Sequence, residues 1–143
     1  MLIVNAISKA WKMLFGIHWY LVALSVVVYF GVGALWYSPL MFVEPWKKAL
    51  GKKPNEVISP ATAMVVTFLA MIVLVCIEAY FVTATGTNGW SRGGYLGLKL
   101  WLGFAAMTGL INNVYQSGNK TLFAIDQGYH LVGMVLAGII LTY

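Results

Sequence analysis

Charged residues along this chain are spaced so that long apolar intervals remain between them. Between Lys12 and Glu44 there is no charge at all. Within that gap 17–39 is long enough to cross a hydrocarbon core of about 30 Å, which takes about 20 helical residues. Trp19 and Tyr20 open the interval and Trp36 and Tyr37 close it, and amphipathic rings at both ends are what a headgroup boundary selects. A second span is predicted at 60–84, because Ser59 followed by Pro60 reads as a helix N-cap with proline at the first helical position. Gly86, Asn88 and Gly89 make a turn into a third span at 94–115, which Ser117, Gly118 and Asn119 end. Thr121 is placed to cap a fourth span at 121–142. The expected fold is all-α: an integral membrane four-helix bundle over 17–143.

Residues 1–16 follow a different pattern. Asn5, Ser8, Lys9 and Lys12 fall on one helical face, and Ile3, Ile7, Ala10, Trp11 and Leu14 on the other. This predicts an amphipathic helix lying in the interface. The segment lacks the order of a cleaved signal peptide, so the N-terminus is expected to be retained. After the first span, Phe42, Trp46 and Leu50 recur every fourth residue beside Lys47, Lys48, Lys52 and Lys53. That loop is expected to rest on lipid headgroups.

Composition sharpens the class. The chain is 61% hydrophobic and 9% charged, against about 25% charged in soluble domains, so water is not its main solvent. The net charge of +5 arises from Lys and Arg that sit between apolar runs. Such cations suit membrane lipids and argue against nucleic acid as a partner. The positive-inside rule, applied to Lys47, Lys48, Lys52, Lys53 and Lys120 against Lys9, Lys12 and Arg92, puts the first and third loops in the cytoplasm.

Cys76 is the single cysteine and lies within an apolar run, so neither a disulfide within the chain nor a cysteine metal site is expected. His18 and His130 lie in different spans, and no metal-ligand, nucleophile or phosphate-cradling motif is present. No cofactor or metal is implied, and an enzyme is the least favoured class. Small residues four apart (Gly93 with Gly97, Ala105 with Gly109, Gly133 with Ala137) permit close helix approach within one chain or between two.

Ionisable groups at membrane depth are the best pointer to function, since each costs at least about 2.5 to 3.5 kcal/mol on insertion scales. Glu78 and Lys99 fall about 8 to 9 Å below the same surface and could form an intramembrane ion pair. Alternatively Lys99 snorkels to the headgroups and Glu78 faces a polar crevice. Asp126 and His130 are four apart on the last span and share a face. Asn112 and Asn113 reach the same end through a short loop, as do Trp36, Tyr37 and Ser38 at the end of the first span. A carboxylate that orients an imidazole there could relay protons, bind a cation or hold a substrate; the plainer alternative is an interhelical network that fixes register.

Two segments, Gly33-Ala-Leu-Trp-Tyr-Ser-Pro-Leu40 and Ile125-Asp-Gln-Gly-Tyr-His-Leu-Val-Gly133, resemble the bacterial membrane family catalogued as domain of unknown function 1761 (DUF1761). The resemblance covers the chain from about Trp19 onward and implies a four-span protein of the bacterial inner membrane, with no activity assigned. It draws attention to Trp36, Tyr37, Ser38, Pro39, Asp126, Tyr129 and His130. The reading that follows is a small transporter or channel for a proton, cation or small solute, for which a homodimer is the natural design because four helices enclose little volume. The alternative is a non-catalytic accessory membrane protein that binds lipid or a larger membrane partner.

Overall fold

The computed structural model describes residues 16–51, 59–116 and 118–143. The amphipathic helix expected at 1–16, together with Lys52, Lys53 and Ser117, lies outside the described residues. Five helices follow in order: α1 Trp19–Trp36, α2 Val43–Leu50, α3 Pro60–Thr85, α4 Trp90–Gln116 and α5 Lys120–Leu141. The protein is all-helical over these residues, and α1, α3, α4 and α5 are long and apolar enough to cross a membrane. Helix α5, with 22 residues, extends about 33 Å at 1.5 Å per residue.

The ends form for local reasons. The Ser59 hydroxyl accepts a hydrogen bond from the Thr62 amide at 3.2 Å with Pro60 behind it, and Gly86 ends α3 in the left-handed region that side chains avoid. At α5 the cap is Asn119 and not Thr121. Asn119 Oδ1 accepts from the amides of Thr121 and Leu122 at 3.0 and 3.1 Å. Helix α4 begins at Trp90, ahead of the expected 94, because Gly89 turns the chain and Arg92 reaches outward from the first turn.

Helix α5 is the hub, packing against α1, α2, α3 and α4. Its contact with α4 is backbone to backbone. A Cβ at Gly93 would run into the carbonyl of Gly138, one at Gly97 into the carbonyl of Met134, and one at Gly138 into the carbonyl of Gly93. Gly133 admits the ring of Tyr29 from α1 in the same way. The small residues therefore serve close approach within the chain. Tyr29, Val75 and Ala137 are buried at the centre, while Val27, Val65, Leu69, Val73, Ile111 and Val114 point outward, the surface that lipid tails require.

Helix α4 departs from the uniform span expected of it. Trp101–Ala106 is a π-helical segment, an inserted wide turn that bends a helix and recurs at functional sites. Trp101 Nε1 donates to the carbonyl of Gln127 at 2.9 Å and anchors the bulge to α5. Before the bulge, α4 lies close along α5; after it, contact is sparse. No proline or glycine pair marks the position in the sequence.

The glycine seam sets a test. Gly93→Ala is expected to destabilise the bundle by about 2 kcal/mol, in the range of overpacking. Gly31→Ala, with open space around its position, should be neutral or stabilising by up to about 1 kcal/mol. Reversible unfolding in mixed detergent would measure both.

Candidate functional site

The site lies at the end of the bundle where α1 stops, α2 crosses and α5 begins. Trp36 closes α1 by donating from Nε1 to the carbonyl of Ile125 at 3.0 Å. That bond sets the next residue, Tyr37, beside Asp126. The Tyr37 hydroxyl donates to Asp126 Oδ1 at 2.8 Å, and Trp46 Nε1 of α2 donates to the same oxygen at 3.0 Å. Bonds to a charged acceptor are the stronger kind. Both fall on one oxygen, and Oδ2 accepts no hydrogen bond from the described residues.

The apolar face of α2 turns toward the bundle. Phe42 stacks against Trp36 with ring centroids 4.8 Å apart, and Trp46 turns inward to the carboxylate. Lys47 and Lys48 remain exposed on the outer side. The carbonyl of Ala49 is held by Asn119 Nδ2 at 3.0 Å, which ties α2 to the start of α5.

From Asp126 an aromatic file runs inward. Tyr37 meets Trp46 edge-on at 5.6 Å and Tyr129 at 5.5 Å; Tyr129 meets Tyr29 at 5.4 Å. The Tyr129 hydroxyl contacts the sulfur of Met71 at 3.6 Å. Tyr29 ends the file with a 2.9 Å hydrogen bond between its hydroxyl and His130 Nδ1. The imidazole is therefore oriented by Tyr29 and not by Asp126, although the two share a helical face as expected. The expected carboxylate–imidazole pair is corrected in that respect: the carboxylate is satisfied by indole and phenol donors from other helices.

Tyr37, Trp46 and Tyr129, though not Tyr29, line a cavity of about 870 Å³, with Asp126, His130, Asn112, Asn113, Gln116 and Gln127 on its polar wall. Gln127 fills the space that Gly109 leaves on α4. The expected residues divide by role. Tyr37, Asp126, Tyr129, His130, Asn112 and Asn113 come together at the cavity. Asn113 also donates to the carbonyl of Asn119 at 3.0 Å and fixes the α4–α5 turn. Trp36 is a clamp behind the wall. Ser38 belongs to the turn after α1, donating to the carbonyl of Leu35 at 2.7 Å and accepting from the Leu40 amide at 3.2 Å.

Glu78 and Lys99 do not meet. Lys99 is exposed, its ammonium 4.5 Å from the centroid of the Tyr95 ring, while Glu78 is buried on the inner side of α3. The two side chains point to different sides of the bundle. Trp46, Tyr29 and Gln127 were missed. For Gln127 the signal existed, since it stands three residues before His130 on the same helix; for Trp46 and Tyr29 none did, because each arrives from another helix. Among the described residues no group of three His, Cys, Asp or Glu side chains converges to hold a metal ion.

The chain matches the family described as "Protein of unknown function (DUF1761)" over residues 20–142 and belongs to it. No curated protein and no solved structure matches the chain. Family membership and four long apolar helices make this a multi-pass integral membrane protein.

Because two donors share one oxygen of Asp126, their removal should not be additive. Tyr37→Phe and Trp46→Phe are each expected to cost about 1.5 to 3 kcal/mol of stability, the range for bonds to charged groups. A double-mutant cycle by detergent unfolding should show coupling above about 0.5 kcal/mol.

Proposed function

We propose that this member of the DUF1761 family is a small transporter or channel whose passing solute is a proton or a compact cation, bound at Asp126. The observation that carries the reading is the state of that carboxylate. One oxygen is fixed by Tyr37 and Trp46 while the other accepts no hydrogen bond from the described residues, at the wall of a cavity of about 870 Å³ inside a membrane bundle. That second oxygen is not among the buried unpartnered atoms, so it is open to a solute in the cavity.

The aromatic rings of Tyr37, Trp46 and Tyr129 supply negative faces around the charge, and such surfaces attract cations by about 0.5 to 2 kcal/mol each. His130, farther in, is the group whose ordinary titration range spans neutral pH. The cavity is formed by one chain, which supports one site per protomer even if the protein is a homodimer. With Lys47, Lys48 and Lys120 at this end, the positive-inside rule supports a cavity facing the cytoplasm of a bacterial inner membrane.

Reconstitution tests this directly. In proteoliposomes carrying an internal pH indicator, an imposed proton or potassium gradient should drive a flux that Asp126→Asn and His130→Ala each reduce roughly tenfold or more, the kinetic equivalent of about 1.4 kcal/mol. Flux unchanged in both variants, or absent from the unmodified protein under either gradient, would overturn the reading.

A further inference from the structure

Glu78 stands on α3 about two helical turns from the Thr85 end. It is 1% exposed, and neither carboxylate oxygen has a hydrogen-bond partner among the described residues. No described cation reaches it: Lys99, the nearest in depth, lies over Tyr95 on the outer side of α4. Instead the carboxylate occupies a notch cut by glycines. A Cβ at Gly97 would come within 2.9 Å of Glu78 Oε1, and one at Gly138 within 3.1 Å. The sequence therefore clears space on two neighbouring helices for this one side chain.

A bare carboxylate in that place is untenable, since transferring an unpaired charge to a low-dielectric interior costs far more than folding can supply. The group must carry a counterion or a proton. Hard metal cations take about six or more oxygen ligands. The cavity beside Glu78 is mostly apolar, and the other side-chain oxygens that line it, one each from Thr108, Asn112 and Gln127, make only five with the two of Glu78 itself. A proton needs none.

The proton also has a way in. Glu78 lines a cavity of about 520 Å³ together with Asn112, Gln127 and His130, and these three also line the larger cavity of Asp126. The π-helical turn of α4 is what brings this about, for Phe104 and Ala105 of that turn and Thr108 just beyond it face the same space. The titratable groups facing Glu78 from packed helices are Tyr29 of α1, within electrostatic reach, and His130 of α5 across the cavity. Toward the opposite surface a separate cavity of about 310 Å³ stops at Leu21, Ala79, Val82 and Leu141, all of them buried apolar side chains.

We propose that Glu78 is a proton-binding site at the inner end of this route: its carboxylate takes a proton from the cavity by way of His130 and returns it the same way. The step is a simple transfer, in which the imidazolium loses the proton that the carboxylate gains. Use of the site in flux rests on the transport reading above, whereas titration of the site does not.

The full-length protein in lipid nanodiscs can be titrated by infrared difference spectroscopy. The carbonyl stretch of a protonated carboxyl should appear and vanish with pH, be lost in Glu78→Gln and persist in Asp126→Asn. Dicyclohexylcarbodiimide, which reacts with protonated carboxyls in apolar surroundings, should modify Glu78 by mass spectrometry. Its labelling rate should fall roughly tenfold per pH unit above the midpoint, as the protonated fraction does. Glu78→Gln, which copies the neutral form, should unfold no more easily than the unmodified protein. A carboxyl band that is the same in Glu78→Gln, labelling at Glu78 that is absent or independent of pH, or marked destabilisation by Gln would each overturn the proposal. A titrating Glu78 in a protein that passes no ions would leave this site standing and remove the transport reading alone.

Discussion

The close seam between α4 and α5 governs what the rest of the bundle can do. In lipid, helices gain little from hiding apolar surface, so association relies on packing and on contact that only small residues permit. Gly93 and Gly97 lie directly on the backbone of Gly138 and Met134, which holds one half of α4 against α5 along its length. Had the whole helix continued in that way, no internal space would remain. The π-helical turn at Trp101–Ala106 interrupts it. Beyond the turn α4 leaves α5, and the volume between them is where Asn112, Gln127 and His130 face one another. A tight half and an open half thus arise from a glycine stripe followed by a bulge.

The two internal carboxylates are treated differently. Asp126 lies in the open half, where aromatic side chains at the membrane boundary bring N–H and O–H groups within reach. Rings that a sequence reading assigns to the headgroup region serve as donors to an acid instead, through Tyr37 and Trp46. Glu78 lies where the tight half meets the open one, with no described hydrogen-bond partner although it borders a cavity. Its notch is made by removing atoms, at Gly97 and Gly138, and not by adding partners. One acid has two hydrogen-bond donors on one oxygen, and the other has none among the described residues.

The spans were legible because their cause is local: an uncharged run in lipid must satisfy its own backbone by coiling. The same holds for the Ser59–Pro60 start and the Gly86 stop of α3. Asp126 and His130 could be placed together because helical spacing is a property of one segment, and the short α4–α5 turn carried Asn112 and Asn113 with them. What could not be read were relations between segments. The rotation of α3 about its own axis decides whether Glu78 meets Lys99, and depth along the axis says nothing about it. The inward turn of Trp46 depends on where α1 ends in space, which the Trp36 bond to Ile125 fixes. The π-helical turn follows from anchoring Trp101 on Gln127, a contact that exists only once both helices are in place.

The same asymmetry limits how a proton on Glu78 could reach the opposite surface. The obstacle is a layer of side chains, Leu21 from α1, Val82 from α3 and Leu141 from α5, that separates the inner carboxylate from the far cavity. Helix α4 contributes its glycine seam there, and a backbone contact without side chains has no alternative rotamers with which to part. Side-chain layers do, because changes of rotamer separate them at modest cost. Rotamer changes in that layer are therefore the smallest rearrangement that would join the inner carboxylate to the far cavity. Tyr29, seated over Gly133 and bonded to His130, meanwhile ties α1 to the histidine of α5 on the other side of the layer.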